Sequence, residues 1–114
     1  MPLDYTKTEN VVIIYPSGRL DIEQSSYLEI ELEKLVSLEK ESNFLFNMAG
    51  VDYVNSYSLK MILNTYLDLR NKGRHLAVCN INSVIRKLLN IIGHDDMFEV
   101  FNSEAEGVDF LSAK

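Results

Sequence analysis

Short apolar runs alternate with longer amphipathic stretches along this 114-residue chain. The runs at residues 11–15, 43–48 and 75–80 have the length and the β-branched or aromatic content of buried strands. Residues 3–8 alternate weakly and predict an edge strand beside the first run, and residues 98–101 alternate as a last strand. The hydrophobic pattern therefore predicts four or five strands with other elements between them.

The stretches between the apolar runs have the spacing of amphipathic helices. Asp21, Ser25 and Ser26 are candidate N-caps of the first helix, because their side-chain oxygens accept hydrogen bonds from exposed backbone N–H groups. Gly73 ends the second helix and Gly93 ends the third, and a short fourth helix covers residues 103–111. The apolar faces of the first three comprise Leu28, Leu32 and Leu35, then Leu59, Ile62, Leu63, Tyr66 and Leu67, and then Val84, Ile85, Leu88, Leu89 and Ile92.

Alternation of strand and helix predicts an α/β fold, because parallel neighbouring strands need a crossover connection. Since the strands are apolar on both faces, we expect helices to cover the sheet. We predict one domain over residues 1–114, with a mixed, mostly parallel sheet of about four to five strands and about four helices. The predicted core includes Ile13, Leu32, Phe46, Leu63, Val78 and Leu88.

The amino-acid composition indicates which kinds of partner and which cellular compartment to expect. The chain has 17 acidic and 11 basic residues, and its net charge of −6 argues against nucleic acid or an anionic membrane as the main partner. No stretch has the roughly 18 apolar residues of a membrane span, and the first ten residues lack the pattern of a secretory signal. Cys79 is the single cysteine, which excludes an internal disulfide and indicates a reducing compartment. We therefore expect a cytoplasmic protein without membrane insertion.

Groups with catalytic or metal-binding chemistry do not converge in the sequence. His75 and Cys79 are four residues apart on one predicted strand, roughly 13 Å, which is too far for a nucleophile and its base. A buried core cysteine is favoured instead. His94, Asp95 and Asp96 are consecutive and cannot surround one ion, so we interpret them as a solvated loop. We expect no enzymatic activity and no cofactor or metal.

Two short motifs resemble those of a known family. Residues 18–21 (GRLD) follow a predicted strand and turn, and residues 55–59 (NSYSL) precede the most regular amphipathic helix. In this order and spacing they resemble the STAS domain, the fold of bacterial anti-sigma factor antagonists. The resemblance covers nearly the whole chain, and it implies the function of those antagonists.

The function implied by the resemblance is partner switching. In the family, an anti-sigma factor that is also an ATP-dependent serine protein kinase phosphorylates the serine of the second motif, and a phosphatase of the PP2C type reverses this. The unphosphorylated antagonist binds the anti-sigma factor and frees the sigma factor. By position the acceptor is Ser56, with Ser58 in the same turn as the backup acceptor. The implied partner-binding surface comprises Asp21, Tyr53, Asn55, Ser56, Tyr57 and Ser58.

The second motif departs from the family pattern Asp-Ser-Ser/Thr/Ala-Gly-Leu. Asn55 replaces the acid, Tyr57 the small residue and Ser58 the glycine. The alternative hypothesis is therefore a STAS scaffold or accessory subunit of a signalling or lipid-transport complex, without a phosphorylation cycle. A simpler interpretation of Ser56 is that its hydroxyl caps the helix. Capping and phosphate acceptance are compatible, because a helix N-terminus favours negative charge.

Overall fold

The computed structural model of the protein describes residues 3–92 and 97–114. The predicted third helix end at Gly93 and the predicted loop at His94, Asp95 and Asp96 lie outside the described residues. The described residues form β1 Tyr5–Thr8, β2 Val11–Ile14, β3 Gly18–Leu20, α1 Ile22–Leu38, β4 Asn43–Asn47, β5 Val51–Val54, α2 Ser56–Asn71, β6 Leu76–Cys79, α3 Ser83–Ile92, β7 Glu99–Phe101 and α4 Glu104–Ser112.

Five strands form one mixed sheet in the order β1–β2–β4–β6–β7. β1 is antiparallel to β2, and every other pair in this sheet is parallel. Helices α1, α2 and α3 lie in the connections between the parallel strands, as crossover connections require. The predicted α/β fold, with a mostly parallel sheet and four helices, is confirmed.

The short strands β3 and β5 form a second, parallel sheet that the sequence analysis missed. No strand was predicted at residues 18–20 or 51–54, where β3 and β5 lie. Each strand pairs with a segment distant in sequence, and Arg19 and Asp52 interrupt the apolar pattern at exposed positions. Gly18 begins β3 with φ of +76°, a conformation that side chains other than glycine rarely adopt.

Apolar side chains fill both faces of the five-stranded sheet. The face beneath α1, α2 and α3 is formed by Val12, Ile14, Phe44, Phe46, Leu76 and Val78. The opposite face is formed by Val11, Ile13, Leu45, Ala77 and Cys79, which pack with Leu111 of α4. Among the described helices, none is long and apolar enough to cross a bilayer.

The predicted core residues are largely confirmed. Four of them, namely Ile13, Leu32, Phe46 and Val78, are buried. Leu63 and Leu88, which were also predicted, are only partly buried and pack at the margin of the core. The face of α2 that is fully buried is therefore rotated from the predicted one, and its buried residues are Ser58, Leu59, Met61, Ile62 and Leu69.

Helix α4 is attached to the carboxyl edge of the sheet by three side chains. The Glu104 Oε1 atom accepts hydrogen bonds from the Tyr15 hydroxyl at 2.7 Å and from Asn47 Nδ2 at 3.0 Å. Burial, with a further contribution from Glu104, raises the pKa of Tyr15. Gly107 of α4 lies so close to β4 that an added Cβ would be 2.7 Å from the Leu45 Cδ1 atom. These contacts fix α4 against the sheet.

Candidate partner-binding site

The small sheet brings the two sequence motifs together. Leu20 at the end of β3 pairs with Val54 at the end of β5, and the two strands are parallel. Asp21 and Asn55 follow these residues directly and begin α1 and α2. Because parallel strands end at the same edge, the two helix N-termini lie side by side there.

Asp21 caps α1, as predicted. Its Oδ1 atom accepts a hydrogen bond from the backbone N–H of Gln24 at 2.9 Å. The buried Ser25 hydroxyl donates to the carbonyl oxygen of Leu20 at 3.3 Å and so ties the first turn of α1 to β3. The Asp21 carboxylate therefore holds the helix start in place and keeps its charge at the edge of the site.

The N-terminus of α2 is closed by a reciprocal pair of side chains. The Asn55 Oδ1 atom accepts from the Ser58 backbone N–H, and the Ser58 hydroxyl accepts from the Asn55 backbone N–H, both at 2.9 Å. The same hydroxyl donates to the Asn55 carbonyl oxygen at 2.9 Å. This is a capping box, in which two otherwise unpaired N–H groups are satisfied. The interpretation of Ser56 as the cap was wrong, because Asn55 occupies that position.

Ser56 is the first residue of α2 and is exposed. Its hydroxyl makes no hydrogen bond within the described residues. Ser58, by contrast, is fully buried and its hydroxyl is used by the capping box. The two serines of the motif are therefore chemically unlike: Ser56 presents a free hydroxyl to an approaching molecule and Ser58 does not.

Two tyrosines lie close to Ser56 in the sequence. Tyr53, half-buried on β5, lies under the guanidinium of Arg19, with 4.0 Å between the guanidinium carbon and the ring centroid. Tyr57 is 39% exposed, and its hydroxyl lies 3.2 Å from the hydroxyl of Ser26 on α1. The start of α2 thus presents the exposed Tyr57, and the small sheet carries an arginine stacked on Tyr53; Tyr and Arg are residue types enriched at protein interfaces.

Arg19 and Ser26 contact Tyr53 and Tyr57, respectively, and were absent from the predicted set. In the sequence, Arg19 is part of the GRLD motif and Ser26 is a candidate cap of the first helix. The alignment of Arg19 with Tyr53 depends on the register of the small sheet, which no local pattern indicates. Nothing in the sequence signals the contact of Ser26 with Tyr57, since it joins two helices that are far apart along the chain.

Three other features of the described residues bear on function, namely the Cys79 thiol, the possible metal ligands and two grooves. Burial, and to a smaller extent Glu104, raises the pKa of the Cys79 thiol to about 11. Within residues 3–92 and 97–114, no group of three or more His, Cys, Asp or Glu side chains could hold a metal ion. Two grooves of about 100 and 400 Å³ flank α1, and neither is lined by Ser56 or Tyr57. Neither groove therefore includes the exposed residues at the start of α2.

The sequence model of the STAS domain matches residues 2–107 of this chain. The chain belongs to the STAS domain family. Within it, the Anti-sigma F factor antagonist of Paenibacillus polymyxa is 23% identical over 101 residues, which cover 89% of this chain and 86% of the relative.

Solved structures share the fold of this STAS domain. An anti-sigma factor antagonist from Mycobacterium paratuberculosis superposes with a TM-score of 0.85 at 18% identity, over 96% of this chain and 92% of the other. The anti-sigma factor antagonist SpoIIAA, in its unphosphorylated form, superposes with a TM-score of 0.77 at 14% identity, over 98% and 99% of the two chains. At such low identity the likeness concerns the fold alone.

Five of the six predicted site residues lie at the two helix starts and Tyr53 lies on β5, and the six differ in exposure. Ser56 and Tyr57 are exposed, whereas Asp21, Tyr53 and Asn55 are half-buried and Ser58 is fully buried. Of the six, Ser56 and Tyr57 are therefore the most accessible to an approaching molecule.

Proposed function

We propose that this STAS domain is an anti-sigma factor antagonist that works by partner switching. In its unmodified form it binds an anti-sigma factor through the surface around Ser56, and phosphorylation of Ser56 by that anti-sigma factor, acting as a serine kinase, ends the binding. A PP2C-type phosphatase restores the unmodified form. The observation that carries this proposal is the exposed hydroxyl of Ser56 at the start of α2, which makes no hydrogen bond within residues 3–92 and 97–114. The antagonist names of its relatives support it.

The position of Ser56 suits a reversible phosphate. Backbone N–H groups in the first turn of a helix favour a negative group, so a phosphate on Ser56 is tolerated without refolding. The phosphate adds about −1.5 to −2 charges to a surface that meets the partner. Asn55 and Ser58 cap the helix independently of Ser56, so modification of Ser56 leaves the cap intact. Burial of Ser58 makes it a poor acceptor, and we retain Ser56 as the site.

The surrounding side chains suit a protein partner. Tyr and Arg dominate the binding energy of many interfaces, and the surface around Ser56 carries Tyr57, Tyr53 and Arg19. We propose that the protein itself catalyses no reaction and that it acts in the cytoplasm, where sigma factors function. The net charge of −6 supports a protein partner in preference to nucleic acid.

Phosphorylation of Ser56 is tested with the partner purified from the native cell. A pull-down with this protein, read by mass spectrometry, identifies the anti-sigma factor. Incubation of that factor with ATP, Mg²⁺ and the protein is expected to add one phosphate to Ser56. The Ser56→Ala variant should remain unmodified and still bind, whereas Ser58→Ala should still be modified. Ser56→Asp should weaken binding, because it adds a negative group to the interface.

An unmodified wild-type protein, with partner affinity unchanged by Ser56→Asp, contradicts the phosphorylation switch. The alternative is then a STAS scaffold or accessory subunit of a signalling or lipid-transport complex. The observation that favours this alternative is Tyr57, whose bulk next to Ser56 narrows the approach of a kinase. Intact-mass spectra of the protein from native cells distinguish the two, since the scaffold carries no phosphate.

A further inference from the structure

Ser26 connects the first turn of α2 to α1 through a hydrogen bond with a defined direction. The Ser26 hydroxyl lies 2.9 Å from the carbonyl oxygen of Ile22, one turn earlier, and donates its proton there. The Tyr57 hydroxyl lies 3.2 Å from the same Ser26 oxygen. Because the proton of Ser26 is already used, Tyr57 must be the donor in the second bond.

This bond holds the Tyr57 side chain at both ends. A tyrosine has two rotatable side-chain bonds, and its backbone is fixed here by the capped helix. The hydrogen bond to Ser26 restrains the outer end of the ring while 39% of the residue stays exposed. An interface side chain that is ordered before binding loses less entropy in the complex.

The direction of the bond also sets the chemistry that Tyr57 presents. Its hydroxyl proton points towards Ser26, so the outward surface consists of the apolar ring and an oxygen lone pair. A matching partner surface has an apolar recess for the ring and, if it contacts the oxygen, a hydrogen-bond donor. A partner group that needs a proton from the phenol does not fit.

We propose that Ser26 is a positioning residue, which orders Tyr57 as a determinant of partner specificity. The proposal rests on the function proposed above. It predicts that the anti-sigma factor has an apolar recess for the aromatic ring of Tyr57, whose hydroxyl proton is already donated to Ser26. Ser26 acts through Tyr57 and does not itself need to touch the partner.

The test is a double-mutant cycle on binding of the anti-sigma factor that the pull-down identifies. Ser26→Ala and Tyr57→Phe each remove the bond but keep the ring, and each is expected to weaken binding about two- to tenfold. The double variant should bind no more weakly than the weaker of the two single variants, because both substitutions remove the same hydrogen bond. Ser26→Thr keeps a hydroxyl and should restore affinity. Ser37→Ala is the matched control, since Ser37 is exposed on the same helix and makes no hydrogen bond within the described residues.

A readout on the free protein separates positioning from general destabilisation. NMR relaxation of the Tyr57 ring should show greater mobility in Ser26→Ala than in the wild type or in Ser37→Ala, with the thermal midpoint unchanged. Full affinity of Ser26→Ala, alongside weak binding of Tyr57→Ala, overturns the positioning role and leaves the proposed function standing. Full affinity of Tyr57→Ala overturns the specificity role. Failure of the wild-type protein to bind any anti-sigma factor instead contradicts the proposed function.

Discussion

Replacement of Ser58 by alanine breaks the capping box that holds Ser56 at the start of α2. The Ser58 hydroxyl is fully buried and is the acceptor for the Asn55 backbone N–H at 2.9 Å. Alanine leaves that N–H without a partner, at a cost of about 1–3 kcal/mol. The higher helix propensity of alanine offsets about 0.5 kcal/mol of that cost. We therefore expect Ser58→Ala to lower the free energy of unfolding by about 1–2 kcal/mol.

Asn55→Ala removes the other half of the box. The Ser58 backbone N–H loses its acceptor, and loss of such a cap costs about 1 kcal/mol. Both substitutions disrupt one motif, so the loss in the double variant should fall short of the sum of the single losses by about 0.5–1 kcal/mol. Additive losses would mean that the two hydrogen bonds stabilise the helix independently.

Urea denaturation followed by circular dichroism measures these changes. With a denaturant slope of about 1–2 kcal/mol/M, the unfolding midpoint of Ser58→Ala should fall by about 1 M. Ser56→Ala is the matched control, since it makes the same exchange two residues earlier at an exposed position, and its stability should change by less than about 0.5 kcal/mol. A midpoint of Ser58→Ala equal to that of the control refutes the reasoning.

Two further predictions concern the face of the sheet beneath α4. Gly107→Ala should lower the free energy of unfolding by about 1 kcal/mol in the same urea assay, because the added Cβ would lie 2.7 Å from the buried Leu45 side chain. Overpacking costs about 1–3 kcal/mol, which exceeds the gain of about 1 kcal/mol from the higher helix propensity of alanine. Equal or higher stability would show that Leu45 moves aside. Cys79, whose pKa is raised from 9.0 to about 11 by burial and Glu104, should react with a thiol-specific reagent at pH 8 only after unfolding. Fast labelling of the native protein would contradict this. Because the pKa of the thiol is higher in the folded protein, the stability that the protonated thiol contributes is complete below pH 9 and is lost as the pH rises through 11. Urea titrations across that pH range would detect the loss as a falling unfolding midpoint.

The five-stranded sheet and the helices could be predicted because each carries a local pattern. Apolar runs and helical spacing are visible among residues that are close in sequence, and these patterns are clearest in elements that are well buried. The strands β3 and β5 lack such a pattern, because each is stabilised by a partner elsewhere in the chain and each includes an exposed polar residue, Arg19 or Asp52. Their pairing was nevertheless what brought the two motifs together.

The site was predicted in outline, and its details depended on tertiary contacts. Position in the motif identified Ser56, Tyr57 and the start of α2. The choice of Asn55 over Ser56 as the cap follows from the backbone at the end of β5, which the sequence does not reveal. The burial of Ser58 likewise depends on how α2 is rotated about its axis, and the predicted apolar face of α2 was offset from the buried one.

Helix α4 packs on one face of the five-stranded sheet, and its late position in the chain determines when that face becomes covered during synthesis. The apolar side chains of that face lie on β2, β4 and β6, and α4, the described helix that packs on them, follows all three in the sequence. During synthesis, Val11, Ile13 and Leu45 therefore remain uncovered until residues 104–112 have left the exit tunnel. A nascent chain in this state exposes a sheet face that favours aggregation, and it is a natural substrate for chaperones that hold unfinished proteins.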